Sequence, residues 1–197
     1  MTAIGTALPW AYLLAVRPKL QRWGATDDEV QMALPGDELV PNPGYQHTRA
    51  ITINAPAAAV WPWLAQIGQG RGGFYSYDWL ENLAGCEIHS ADRVHPEWQD
   101  IRVGNTVAVM PNFGPKVIGV EPGRSITLES WGTYAILPVD SQTSRLIARA
   151  RHPLSWGAIT YLLTLEIPHF VMERKMLLGI KERAERVWGS QAADAAG

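Results

Sequence analysis

The sequence predicts an α+β domain in which a curved antiparallel sheet of about six strands wraps around a long C-terminal helix, with two short helices after the first strand. Three observations carry that expectation. One alternating segment near residue 50 is followed by two short helical stretches, residues 106–151 read as successive short β-type runs separated by turn residues, and one long amphipathic segment closes the chain.

Residues 1–22 form an apolar N-terminal segment. The run Ala7 to Val16 ends at Arg17-Pro18-Lys19. It is shorter than the roughly 20 apolar residues of a spanning helix, and it lacks the leading basic residues of a signal peptide. Three readings remain open: a short helix packed on the body, peripheral membrane contact through residues 7–17, or the remnant of a longer membrane-bound architecture. In the second, Trp10 and Tyr12 sit at the headgroup boundary and Arg17, Lys19 and Arg22 face anionic lipid.

Residues 23–46 read as an irregular arm, because Pro35-Gly36, Pro41 and Pro43-Gly44 interrupt anything longer than a turn at Asp27–Glu29. A helix-and-sheet domain is expected over 47–189. His47 to Asn54 alternates, with Arg49, Ile51 and Ile53 on one face and Thr48, Ala50 and Thr52 on the other. Asn54 is placed to cap a helix starting near Pro56 and running to Gln66, where Gly68, Gly70, Gly72 and Gly73 stop it. Tyr75 to Asn82 predicts a second short helix, and a polar loop follows to Val103.

Five β-type runs come next: Thr106–Met110, Lys116–Glu121, Ser125–Trp131, Thr133–Val139 and Ser144–Arg151. Pro111-Asn112, Pro122-Gly123, Gly132 and Asp140-Ser141 supply turns between them. Ser155 to Trp188 is helical, with Pro168 bending it or splitting it in two. Beyond that point Phe170, Leu177, Ile180, Ala184 and Trp188 recur at helical spacing. Residues 190–197 predict a frayed tail. A sheet with one apolar face has only this helix to cover it, so the sheet wraps the helix and the first strand pairs with the meander's far strand. This is the helix-grip arrangement.

Composition narrows the function. With 17 basic and 19 acidic residues and a net charge of −2, the chain offers no basic field for nucleic acid. The single Cys86 makes neither an internal disulfide nor a thiolate metal site, and such usage fits the cytoplasm, with membrane association as the variant set by residues 7–17. His89, Asp92 and His95 have a metal-like spacing but no second cluster to complete a shell. Neither a metal nor a cofactor is expected. Nine tryptophans against three phenylalanines suit either a thick core or a cavity for a greasy ligand. Small residues at Ala108, Gly119, Ala135, Ala148 and Ala150 either leave a hollow or accept the helix closely.

Several segments together carry a family resemblance: Arg22-Trp23-Gly24-Ala25-Thr26, Leu34-Pro35-Gly36-Asp37-Glu38, Val60-Trp61-Pro62-Trp63-Leu64, the stretch from Gly73 to Asn82 that spells GFYSYDWLEN, and Met172-Glu173-Arg174-Lys175-Met176-Leu177. Over roughly residues 22–188 the chain resembles the START-related, birch-pollen-allergen-like superfamily, also called SRPBCC or polyketide cyclase/dehydrase-like, in a bacterial branch common in actinobacteria. The resemblance implies a helix-grip fold with an elongated cavity between sheet and terminal helix. It leaves function broad, since that superfamily includes lipid carriers, hormone receptors, cyclases and dehydratases.

Trp61, Trp63, Arg71, Phe74, Tyr75, Tyr77 and Trp79 flank the glycine-rich stretch. They are expected either to gate a cavity mouth and touch its ligand or to pack the helices on the sheet. Trp131, at a strand end, joins the expected ligand contacts. Asp78 and Glu81, three residues apart, either share a helix face and move protons or serve as caps and surface partners. His169 and Glu173, four apart on the terminal helix, form a polar handle if that face looks inward and an ordinary helix pair if it looks outward. Arg49 ends the buried stripe at the rim or pairs with a buried acid such as Glu129. The expected function is binding of a small hydrophobic, lipid- or polyketide-like molecule. One alternative is a cyclase or dehydratase using Asp78, Glu81 and His169, and another is a lipid-transfer protein working at a membrane surface.

Overall fold

The computed structural model describes residues 12–83 and 85–196. Trp10 and the apolar run before Tyr12 lie outside the described residues. Five antiparallel strands form one sheet: β1 (Tyr45–Ile53), β2 (Val117–Glu121), β3 (Ser125–Leu128), β4 (Gly132–Pro138) and β5 (Ser144–His152). Their order is β1-β5-β4-β3-β2, so the first strand does pair with the last strand of the meander, from Tyr45 opposite His152 to Ile53 opposite Ser144. The helices are α1 (Arg17–Gln21), α2 (Asp27–Gln31), α3 (Ala57–Ala65), α4 (Asp78–Leu83), α5 (Trp156–Thr164) and α6 (Glu166–Ala196). The architecture is the helix grip.

Strand alternation sorts the two faces. Leu146 and Ala148 of β5 and Tyr134 and Ile136 of β4 point toward α6, where they meet Met176, Leu177, Ile180 and Ala184. Trp63, Leu64 and Ile67 complete this core from the α3 side. On the opposite face Ala50, Ala135 and Ile147 are buried under Leu34, Ala25 and Met32 of the arm. Ala135 therefore contributes nothing to a hollow, and the Cβ position of Gly119 lies against Thr127 on that same covered face.

The arm is held by charge as well as apolar contact. Arg145 places Nε and Nη2 on Glu29, each at 2.7 Å, and Arg149 places Nη1 2.6 Å from Asp37. Glu29 also closes a capping box with Thr26 at the start of α2. The basic residues alternating along β5 thus find their acids in residues 23–46.

Three local expectations change, and the expected split of the terminal segment falls three residues before Pro168. Thr106–Met110 makes isolated bridges at Thr106 and Met110 in place of a strand, so the sheet has five strands rather than about six. Two prolines in the return segment, Pro111 and Pro115, remove ladder donors there. Pro56 occupies the N-cap position of α3 with no side-chain capping bond, and the Asn54 backbone N–H is taken by Glu185 Oε1 at 2.7 Å. The terminal segment splits at Leu165, with Pro168 in the first turn of α6, where a missing N–H costs least. The alanine-rich residues 190–196 continue α6 rather than fray.

The described end of the N-terminal segment is tied to α6. Tyr12 donates to Glu166 Oε2 at 2.9 Å and Arg17 Nε lies 3.1 Å from both Glu166 oxygens, while Leu14 stays 74% exposed. Among the described residues no helix is long and apolar enough to cross a membrane.

Candidate functional site

Two cavities open between the inner sheet face and α6. The larger, about 580 Å³, is walled by Tyr45 of β1, Trp131, His152 at the end of β5, Tyr161 of α5 and Leu165, His169 and Met172. The smaller, about 200 Å³, is walled by Phe74, Glu81, Cys86 and Ile88 on one side and Tyr134, Glu173 and Met176 on the other. Trp131, His169 and Met172 line both and so form the partition.

Around the partition lies a largely buried polar cluster assembled from five elements, β1, β4, β5, α5 and α6. Glu173 accepts a 2.6 Å hydrogen bond from Arg49 Nη1, Tyr134 Oη donates to its Oε1 at 3.4 Å, and His47 Nε2 stands 3.4 Å away. His169 Nε2 is 3.8 Å from the same carboxylate, and its Nδ1 is hydrogen-bonded to the Tyr161 hydroxyl. Tyr45 Oη lies 3.2 Å from His47 Nδ1 and its ring stacks near His152. The cation is fully enclosed: Arg49 is 0% exposed, gives its Nε to the Leu20 carbonyl at 2.9 Å and lies over the Phe170 ring.

Electrostatics follow from this enclosure. Burial alone would raise the Glu173 carboxyl, but His47, His169 and Arg49 outweigh it and hold the group below its usual range. Burial lowers His169 to about 4, despite the opposing pull of Glu173, so its imidazole is neutral near pH 7. His152 is also lowered, first by burial and then by His47. Glu81 has no cation beside it. Burial, then repulsion from Asp78, pushes it up to about 7, and its Oε2 is buried without a hydrogen-bond partner. Burial raises the Cys86 thiol, with Glu81 adding to the effect, so no activated thiolate arises there.

Of the residues singled out from sequence, Phe74, Glu81, Trp131, His169 and Glu173 line the cavities. The others do not. Trp63 and Tyr75 are core residues packed edge to face, with the Tyr75 hydroxyl bonded to Gln66 Nε2 and the Trp63 carbonyl. Trp61 packs half-buried against the same core. Arg71 turns to the carbonyls of Ala65 and Trp98. Tyr77 lies under Lys175, and Trp79 is 68% exposed in an outer groove. Asp78 has both oxygens held by Ser90, at 2.6 and 2.7 Å, so it does not face the cavity with Glu81.

The glycine-rich stretch is a packed turn, not a gate. Gly68 and Gly73 exchange backbone hydrogen bonds, and a Cβ on Gly72 would stand 2.6 Å from the Tyr75 hydroxyl. Tyr75 itself adopts φ 55°, a left-handed conformation that the two hydrogen bonds of its hydroxyl hold in place.

Sequence reasoning missed Tyr45, His47, Tyr134, His152 and Tyr161, and it gave Arg49 the wrong acid. One signal was available. The inward stripe of β1 reads Tyr45, His47, Arg49, Ile51, Ile53, so its first half is polar although both its ends are buried. Among the described residues no three His, Cys, Asp or Glu side chains are grouped to hold a metal, and Asp92 pairs with Arg183 while His95 stacks on Trp98.

The chain thus combines a helix-grip sheet, two cavities and a buried ion pair of which Glu173 lines the smaller cavity. No family model matches the chain, and no curated protein matches it in sequence. Among solved structures it is similar to the solution NMR structure of the Polyketide_cyc-like protein Cgl2372 from Corynebacterium glutamicum, at 18% identity and a TM-score of 0.33, over 76% of this chain and 93% of that one.

Proposed function

We propose that the chain binds a small, mainly apolar molecule between the sheet and α6. The observation that carries this reading is the larger cavity, about 580 Å³, within the roughly 300–1,000 Å³ of small-molecule sites. Apolar burial at about 25 cal/mol per Å² supplies the affinity and the polar groups on the wall fix orientation. Trp131, shared by both cavities, is the natural reporter. Titration with a neutral solvatochromic dye should quench tryptophan fluorescence, and native mass spectrometry of protein from its own host should reveal a bound apolar species. A protein that is empty and refuses the dye ends this reading.

Glu81 favours a second reading, proton transfer in the smaller cavity. A carboxyl near neutrality is suited to exchange protons with a bound ketone, as an aldol cyclisation or dehydration requires. His169, as a neutral imidazole on the partition, is the second base. NMR in deuterated water would follow exchange at the carbon next to the carbonyl. Glu81→Gln should stop that exchange while dye quenching persists; undiminished exchange removes Glu81 from the reaction.

A further inference from the structure

We infer that the molecule held in this cavity is uncharged, an apolar skeleton bearing a hydroxyl or carbonyl group, and that the site rejects carboxylates of the same length. The inference rests on the ligand-binding reading above and names its substrate class.

The charge inventory of the walls carries it. Among the described residues lining either cavity there is no lysine and no arginine. Arg49 and Arg17, the cations bonded to Glu173 and Glu166 of α6, line neither chamber, and the unpartnered Nη2 of Arg49 is buried away from both linings. Arg49 donates to Glu173 at 2.6 Å and to the Leu20 carbonyl, with Phe170 across its face. Arg17 spans both oxygens of Glu166 at 3.1 Å. A buried carboxylate would find no counter-ion, and it would meet the carboxyls of Glu81 and Glu173 in the smaller chamber.

The walls offer instead the hydroxyls of Tyr45 and Tyr161 and the rings of His152 and His169. Burial keeps both imidazoles below their ordinary range. A hydroxyl paired with a neutral imidazole, as in Tyr161 and His169, can exchange donor and acceptor roles. Such a pair matches either an alcohol or a ketone. A cationic head finds only Glu81 and the already paired Glu173, both of them lining the smaller chamber.

The test is competition against a neutral solvatochromic dye at neutral pH with four ligands of similar tail: decanol, methyl nonyl ketone, decanoate and decylamine. Decanol and the ketone should each displace the dye at least about tenfold more tightly than decanoate or decylamine. Two variants separate wall charge from the ligands' own solvation. Glu173→Gln leaves Arg49 without its counter-ion, and Met172→Lys puts a cation on the partition. In whichever folds, decanoate should gain at least about tenfold relative to decanol. Equal or tighter binding of decanoate or decylamine by the unaltered protein overturns the inference. So does a preference for decanol that both folded variants leave unchanged. If the dye and all four ligands fail to bind, the ligand-binding reading falls and takes this one with it; dye binding without discrimination sinks this inference alone.

Discussion

Removing one partner of the Arg49–Glu173 pair should be among the most damaging single changes in the chain. Arg49 is 0% and Glu173 5% exposed, and they meet at 2.6 Å. Glu173→Leu leaves a guanidinium with no water and no counter-ion, and Arg49→Met leaves a buried carboxylate with only the Tyr134 hydroxyl and the His47 and His169 rings beside it. Breaking a buried pair from one side costs about 3–5 kcal/mol. For a chain of this size that lowers Tm by about 6–20 °C, at about 2–4 °C per kcal/mol. Replacing both partners removes the stranded charge, so the double variant should be at least about 2 kcal/mol more stable than the sum of the single losses implies. Thermal and urea unfolding followed by circular dichroism would measure all four proteins. The acid limb adds a check. With its carboxyl held below the ordinary 4.5, Glu173 contributes stability that is complete above that value and lost as pH falls from there through its depressed pKa. Single variants within about 1 kcal/mol of the parent, or additive losses in the double, would refute the assignment.

Glu81 should act in the opposite sense. Its pKa is about 7 in the fold against 4.5 ordinarily, so the folded state holds the proton longer and stability falls as pH rises from 4.5 to 7. Glu81→Gln should therefore stabilise at pH 8 and change little at pH 4, measured as Tm against pH. Gly179→Ala would ordinarily strengthen a helix by up to about 1 kcal/mol. Here the added Cβ would stand 2.2 Å from the Tyr75 carbonyl oxygen, so urea unfolding should show a loss of about 1–3 kcal/mol. Thr26→Ala removes the cap of α2 and should cost about 1 kcal/mol by the same measurement, loosening the arm over β5.

What could be read from the residues was local periodicity. The alternation of β1 and β5, the turns of the meander and the stripe of α6 are signals a few residues long, and each became an element. The polar cluster has no such signal. Its members at 45, 47, 49, 134, 152, 161, 169 and 173 meet only because β1, β5 and β4 lie side by side and α5 and α6 pack against them. Arg49 and Glu173 are 124 residues apart, so proximity in sequence pointed to no partner. His169 and Glu173 were legible as neighbours at i and i+4, but whether they faced inward depended on how α6 rolled onto the sheet. The aromatic residues around the glycine-rich turn misled for a different reason. Gly72 and Gly73 read as freedom, whereas they are small so that Tyr75, Gln66 and the backbone at His89 can approach closely. The arm, broken by prolines, gave no periodicity; its order comes from arginines on a strand more than a hundred residues later.

That long separation also sets an order of events during synthesis. Tyr45 to Arg49 leave the ribosome well before Glu173, and the meander can close while the counter-ion of Arg49 does not yet exist. Until α6 emerges, the half-built sheet presents an unsatisfied guanidinium on the face that must become dry, which discourages collapse of that face on anything else. The helix that neutralises the first strand is thus translated after it, and the cavity gains its wall only once α6 has emerged.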